Sequence, residues 1–285
     1  MAPGETIRGL LELTRPGNAI VAGVLTFIGA YVAGGVTTSP LETGAAVGAT
    51  VFAVGAGNAV NDYFDRDIDR INRPDRAIPR GAVSPRGALV FSVVLFLAAV
   101  GLALTLPWLA IGIAAVNLLA LITYTEYFKG LPGVGNALVA YLGGSTFLFG
   151  GAAVGGIEAT VVLFALAALA TFAREVVKDV EDLEGDREEG LNTLPIAIGE
   201  RRALFVGAGV LLVGVLASPL PFLLGQFDVV YLLAVVPAVL LMLYAMWRSF
   251  DDPSAGQKHL KFGTFLAAFA FIVGRAAVDA PAVVL

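Results

Sequence analysis

The chain has 285 residues, of which 58% are hydrophobic and 34 are glycine, so about 70% of it is apolar or Gly. Only 14% is charged, against about 25% in ordinary soluble domains, and the net charge is −5. This composition excludes a simple soluble domain, a disordered chain and a nucleic-acid binder, and leaves an all-α polytopic membrane protein as the default class.

Taken in chain order, apolar windows long enough to cross a bilayer fall at 18–35, 43–62, 86–105, 107–125, 133–153, 159–178, 203–220, 228–247 and 260–278. Nine transmembrane helices are therefore expected. Proline and glycine sit mostly between them, as in Thr38-Ser39-Pro40, Leu131-Pro132-Gly133 and Asp252-Pro253-Ser254. The first window follows Glu5 and Glu12 as well as Arg8 and Arg15, so it reads as a span and not as a cleaved signal. The absence of cysteine rules out disulfides, thiolate metal sites and a Cys nucleophile.

The basic residues test the span count. With nine spans, one set of connections comprises the N-terminus and the loops after spans 2, 4, 6 and 8. That set, taken with the span ends that border it, holds 17 of the 18 Lys and Arg residues, with Arg275 alone on the other side. Such asymmetry places the N-terminus and these loops in the cytoplasm of a multi-pass cell-membrane protein. A miscounted span would scramble the alternation. Most acidic residues crowd the same face, in the long loop after span 2 and the loop after span 6.

Those two loops open on matching motifs. Asn61-Asp62-Tyr63-Phe64-Asp65-Arg66-Asp67-Ile68-Asp69 closes span 2, and Asp179-Val180-Glu181-Asp182-Leu183-Glu184-Gly185-Asp186 closes span 6. Both contain D-x2-D-x3-D, and Asp62/Asp179, Asp65/Asp182 and Asp69/Asp186 are each 117 residues apart. An apolar-Pro pair follows each motif, Ile78-Pro79 and Leu194-Pro195. The expectation is a single membrane domain over 1–285 with repeat-like halves of about 1–130 and 131–250, each built on four helices, plus a ninth helix. The two acidic motifs are then expected to face one cavity.

On an uninterrupted helix, positions i, i+3 and i+7 lie within about 60° of one another. Each motif is thus expected to form one acidic stripe, with Asn58 one turn earlier on the side of Asp62 and Asn61 beside Asp65. Carboxylates gathered around one cavity repel unless a cation joins them. Hard oxygen donors without His or Cys favour Mg²⁺ over zinc, and Mg²⁺ completes its shell with water and substrate phosphate. The implied ligand is Mg²⁺ bridged to a phosphate or diphosphate. Arg66, Arg70, Arg73, Arg76 and Arg80 follow the first motif and suit phosphate contacts, or form a solvated positive loop.

These residues resemble the UbiA superfamily of intramembrane prenyltransferases, whose members have nine helices with Asn-Asp-x2-Asp-x3-Asp after helix 2 and Asp-x2-Asp-x3-Asp after helix 6. The match covers essentially the whole chain. Within it, "NDYFDRDIDRINRPDRAIPRG", "REVVKDVEDLEGDREEGLNTLPIAIG" and "YTEYFKGLPGVGNALVAYLGGSTFLFGG" look most like the archaeal digeranylgeranylglyceryl phosphate synthase branch. That resemblance implies Mg²⁺-dependent transfer of a geranylgeranyl group from its diphosphate to the glycerol hydroxyl of geranylgeranylglyceryl phosphate. The partners it implies are a prenyl diphosphate, a lipid-phosphate acceptor and membrane lipid, with no nucleic acid. An aromatic or quinone-precursor acceptor is the alternative within the superfamily. A secondary transporter is the alternative outside it, disfavoured because the acids lie at span ends and the span interiors are almost free of charge.

The resemblance assigns the metal to Asn61, Asp65, Asp69, Asp182 and Asp186, with Asp62 and Asp179 as direct ligands or outer supports; Asp65, Asp69, Asp182 and Asp186 are the catalytic acids. Tyr124 and Lys129 match the family's Tyr-x4-Lys element and are assigned to diphosphate. Arg15 and Asn18 at the start of span 1 are candidates for phosphate contact or plain topology anchors. Asn58, Arg73, Arg80 and Lys178 complete the substrate-binding candidates. Tyr141, Phe147 and Phe149, with Gly143, Gly144 and Gly150, either line a prenyl tunnel and shield an allylic cation or serve ordinary helix packing. His259, the only histidine, reads as interfacial.

Overall fold

The computed structural model describes residues 3–280, and among them every regular element is helical. An amphipathic α1 (Pro3–Leu13) precedes α2 (Pro16–Val32). The short α3 (Gly35–Thr38) leads to α4 (Pro40–Phe64), and α5 (Arg66–Asn72) follows at once. Next come α6 (Pro85–Ala103) and α7 (Trp108–Thr123), which runs into a π-helical turn over Tyr124–Phe128. Then α8 (Val134–Ala153), a 3-10 turn (Ile157–Thr160), α9 (Val161–Glu181), α10 (Leu183–Glu188) and α11 (Leu194–Ile198) follow. The chain closes with α12 (Glu200–Ala217), α13 (Leu220–Leu223), α14 (Val229–Arg248) and α15 (Pro253–Asp279).

Helix starts follow local chemistry. Pro16, Pro40, Pro85 and Pro253 occupy first-turn positions, where the missing N–H costs nothing. The side chains of Ser84, Asp228 and Asp252 accept backbone N–H groups of Gly87, Val230 and Ala255 at the starts of α6, α14 and α15.

A helix occupies each of the apolar windows. Six of the helical segments are long and apolar enough to cross a membrane: Pro40–Phe64, Pro85–Ala103, Ile157–Glu181, Glu200–Leu223, Val229–Arg248 and Pro253–Asp279. The protein is a multi-pass membrane protein. α2 and α7 are apolar but shorter, and α8 has 20 residues. The outward faces stay apolar, with Leu97, Leu216 and Leu233 each more than half exposed, as suits a surface solvated by lipid.

Lipid gives apolar side chains little reason to leave it, so helix contact here rests on close fit. A Cβ added at Gly29 would lie 2.3 Å from the Phe147 carbonyl, and one at Gly150 would lie 2.0 Å from the Thr26 carbonyl, so α2 and α8 meet backbone to backbone. Gly144 meets α9 at the Phe164 carbonyl in the same way. These glycines serve packing. So do the aromatic candidates: Phe147 is 1% exposed and edge-on to Phe271, and Phe149 is buried against α4 and α7. Tyr141 is edge-on to Phe164.

One small core positions the first motif. Leu13 of α1, Ala59 of α4, Ala88 of α6 and the loop residues Ala77, Ile78 and Val83 pack together. The long loop after the second window is therefore not loose. It starts with α5 and then folds back under α1, where Gly9 leaves room for Val83.

Candidate active site

The two acidic motifs bend at the same place. α4 ends at Phe64 and α5 begins at Arg66, with Asp65 at φ −80°, ψ 0° between them. α9 ends at Glu181 and α10 begins at Leu183, with Asp182 at φ −90°, ψ 7°. In both, i to i+4 hydrogen bonds bridge the bend: Asp65 N to Asn61 O and Asp69 N to Asp65 O, and Asp182 N to Lys178 O and Asp186 N to Asp182 O, all 2.8–2.9 Å. The expected unbroken acidic stripe is thus a kinked one. The middle Asp of each triple sits at the corner, exposed.

Around the first motif the counter-charges are arginines. Asp62 and Asp69 are buried, while Asn61 and Asp65 face the open mouth. Arg15 Nη2 donates to Asp62 Oδ1 at 2.6 Å, and Arg76 Nη1 donates to Asp62 Oδ1 at 3.1 Å and to Asp69 Oδ2 at 2.6 Å. Arg15 is the one non-glycine with positive φ (46°) among the described residues, a costly backbone state held by this buried contact. Asn58 Nδ2 donates to the Thr14 carbonyl at 2.9 Å, so Asn58 and Asp62 together clamp the α1–α2 junction to α4. Asn58 is thereby committed to the scaffold.

Arg80 does not reach the acids. It pairs with Glu12 at 2.7 Å and donates to the Asp75 carbonyl, and its hydrogen bond holds the Glu12 carboxyl below the usual carboxylate range. Arg73 and Asn18 are exposed.

Around the second motif the arrangement is more open. Asn136 Nδ2 on α8 donates to Asp179 Oδ2 at 2.7 Å, and Lys178 Nζ lies 3.5 Å from Asp182. Lys129 pairs with Glu189 at 3.2 Å. Tyr124, Lys129, Gly135, Asn136, Glu175, Asp179 and Thr193 line a cavity of about 20 Å³, room for one water. Glu175 is buried and pairs with Arg174, and Thr193 is buried beside Asp186. Burial pushes the Asp186 carboxyl above its ordinary value, and the neighbouring Asp182 and Glu189 charges push the same way.

The π-helical turn places Tyr124 in this group. Lys129 N donates to the Tyr124 carbonyl across it, at 2.8 Å. Asn136, Glu175 and Thr193 are candidate site residues that sequence reasoning missed, and Arg76 was named only as one of five loop arginines. Asn136, a lone amide inside an apolar window, and Glu175, an acid inside another, carried a legible signal, since buried polar groups in spans need a reason. Arg76 carried none that set it apart from its arginine neighbours.

Among the described residues no three acids gather closely enough to hold a metal ion. The donor chemistry nevertheless fits a hard divalent cation. It offers carboxylate and amide oxygens, no thiol, and one histidine whose Nδ1 is committed to the Ala255 carbonyl at 2.6 Å. Asn61, Asp65 and Asp182 are exposed, and burial outweighs the contacts of Asp186 with Thr193 and Lys178, so its carboxyl stays above the ordinary value.

A family model described as UbiA prenyltransferase family matches residues 22–273. The chain belongs to this family. It is 69% identical over 277 residues to a digeranylgeranylglyceryl phosphate synthase of Natronomonas pharaonis, covering 97% of this chain and all of that one. The fold of a solved digeranylgeranylglyceryl phosphate synthase matches with a TM-score of 0.83 at 34% identity, over 96% of this chain and 99% of the other. A UbiA homolog from Archaeoglobus fulgidus, bound to DMAPP and Mg²⁺, matches with a TM-score of 0.69 at 18% identity, over 95% and 99%. The chain is thus a prenyltransferase by family, and its all-helical membrane fold is the UbiA fold.

Proposed function

We propose that this UbiA-family chain transfers a geranylgeranyl group from geranylgeranyl diphosphate to the glycerol hydroxyl of geranylgeranylglyceryl phosphate. The observation that carries the proposal is the full-length 69% identity to a synthase of that name, joined to two acid motifs kinked alike at Asp65 and Asp182. All nine apolar windows are assigned as spans, arranged as two repeat-like halves and a final helix in one domain. The motif-bearing end faces the cytoplasm, supported by the clustering of basic residues there.

Asn61, Asp65, Asp69, Asp182 and Asp186 would hold Mg²⁺, which neutralises the leaving diphosphate. Asp62 and Asp179 act from behind: Asp62 holds Arg15 and Arg76, and Asp179 is fixed by Asn136. Tyr124 and Lys129 line the cavity, Lys178 stands beside Asp182, and all three suit diphosphate oxygens; Lys129 exchanges Glu189 for phosphate. Arg15, Asn18 and Arg73 remain candidates for phosphate at the mouth, whereas Arg80 is engaged by Glu12. The prenyl C1–oxygen bond breaks with its electron pair leaving on the diphosphate. The acceptor oxygen bonds to C1, and its proton passes to a carboxylate or to the departing diphosphate.

The test is a single assay. Purified protein receives geranylgeranyl diphosphate, Mg²⁺ and either geranylgeranylglyceryl phosphate or 4-hydroxybenzoate. Prenylated glycerophosphate is expected, and EDTA is expected to stop it. Transfer to the aromatic acid alone would overturn the acceptor. Absence of any EDTA-sensitive diphosphate release would overturn the enzyme class.

A further inference from the structure

The first motif holds its own cation, the guanidinium of Arg76. One nitrogen of Arg76 spans two buried carboxylates, Asp62 at 3.1 Å and Asp69 at 2.6 Å, and the Arg76 side chain is itself only 20% exposed. Arg15 neutralises Asp62 from the other side at 2.6 Å. Asp62 thus has two basic partners, and Asp69 has Arg76 alone among the described residues. Backbone geometry puts Asp69 one turn beyond the exposed Asp65, through the Asp69 N to Asp65 O hydrogen bond. A divalent ion seated on Asn61 and Asp65 thus meets, as its next oxygen donor, a carboxylate already in the hands of an arginine.

We infer that Arg76 is a resident counter-cation that competes with the metal for Asp69. Metal entry moves the Arg76 guanidinium off Asp69 while Asp62 keeps it tethered at the mouth. The inference rests on the Mg²⁺ reading above. It makes Arg76 a positioning residue that bridges two buried acids when no metal is present. An arginine that merely oriented Asp69 for the metal would strengthen metal binding, because outer partners of a ligand raise affinity. A competing arginine weakens it, because a unit positive charge a few ångströms from a divalent ion repels it. The two roles predict opposite signs.

Binding of Mn²⁺, read as loss of its free electron paramagnetic resonance signal and reversed by Mg²⁺, measures this without turnover. Arg76→Gln is expected to bind Mn²⁺ about tenfold more tightly than wild type, on the Coulomb scale of nearby charges in water. Arg76→Lys, which keeps the charge, is expected to stay near wild type. Equal or weaker binding in Arg76→Gln overturns the inference. No Mg²⁺-reversible binding in wild type overturns the metal reading instead. If Arg76→Gln does not fold, the wild-type protein decides: Mg²⁺ is expected to speed modification of Arg76 by phenylglyoxal, read by peptide mass. An unchanged or slower rate overturns the competition.

Discussion

The two acidic motifs share their spacing and their bend, yet they solve the problem of crowded carboxylates differently. The first buries Asp62 and Asp69 and neutralises them with Arg15 and Arg76. The second gives Asp179 an amide, leaves Asp182 to a half-exposed Lys178, and leaves Asp186 with a raised pKa. One motif is closed with two arginines on buried acids; the other has a single part-exposed lysine beside its acids. An Asp triple at a span end thus fixes the path of the backbone, while the counter-charge is supplied by whatever element packs alongside. For the first motif that element is the α1–α2 junction and the folded-back loop. For the second it is α8.

The largest effect is expected where the motifs are alike, at their corners. Asp65→Ala and Asp182→Ala each remove an exposed carboxylate that makes no structural contact beyond a weak pair with Lys178. Turnover should fall by roughly 10²–10³-fold or more, with normal membrane expression. Full activity in either variant would refute the metal assignment.

Stability should separate the motifs. Asp62→Ala leaves the part-exposed Arg15 without its partner and Arg76 with Asp69 alone, so a loss of up to about 3–5 kcal/mol is expected, the upper end being that of a fully buried ion pair. Asn136→Ala leaves the half-buried Asp179 carboxylate short of one donor, a loss of about 1–3 kcal/mol. Unfolding in mixed micelles measures both. If Asn136→Ala proved the more damaging, the contrast between a charged clamp and an amide clamp would be wrong.

The contrast was only half legible in the sequence. Spans, their order and the acid repeat follow from apolar windows and from spacing, because 20 apolar residues admit few alternatives to a helix in lipid. The kink at Asp65 and Asp182 was not legible, since i, i+3, i+7 spacing reads as one straight stripe. Nor could five arginines in one loop be ranked: Arg76 enters the site and Arg80 goes to Glu12 only because Ala77, Ile78 and Val83 tuck the loop beneath α1. Phe147 and Phe149 read equally as tunnel lining or as helix packing, and two-faced packing on α8 buries them in different cores.

The smallest expected effect has the opposite sign to the others. Burial and the charges of Asp182 and Glu189 raise the pKa of Asp186, so the folded protein holds that proton more tightly than the unfolded chain does. The ionised carboxylate therefore opposes folding. Its cost is absent below the unfolded pKa and complete above the raised folded one. Asp186→Asn should melt slightly higher than wild type near neutral pH without metal, and the gap should close as pH falls through the carboxylate range. Mg²⁺ should reverse the order, stabilising wild type more than the variant, which should also lose turnover. A wild type that melts above Asp186→Asn in the absence of metal would mean that the second motif, like the first, already has its counter-charge.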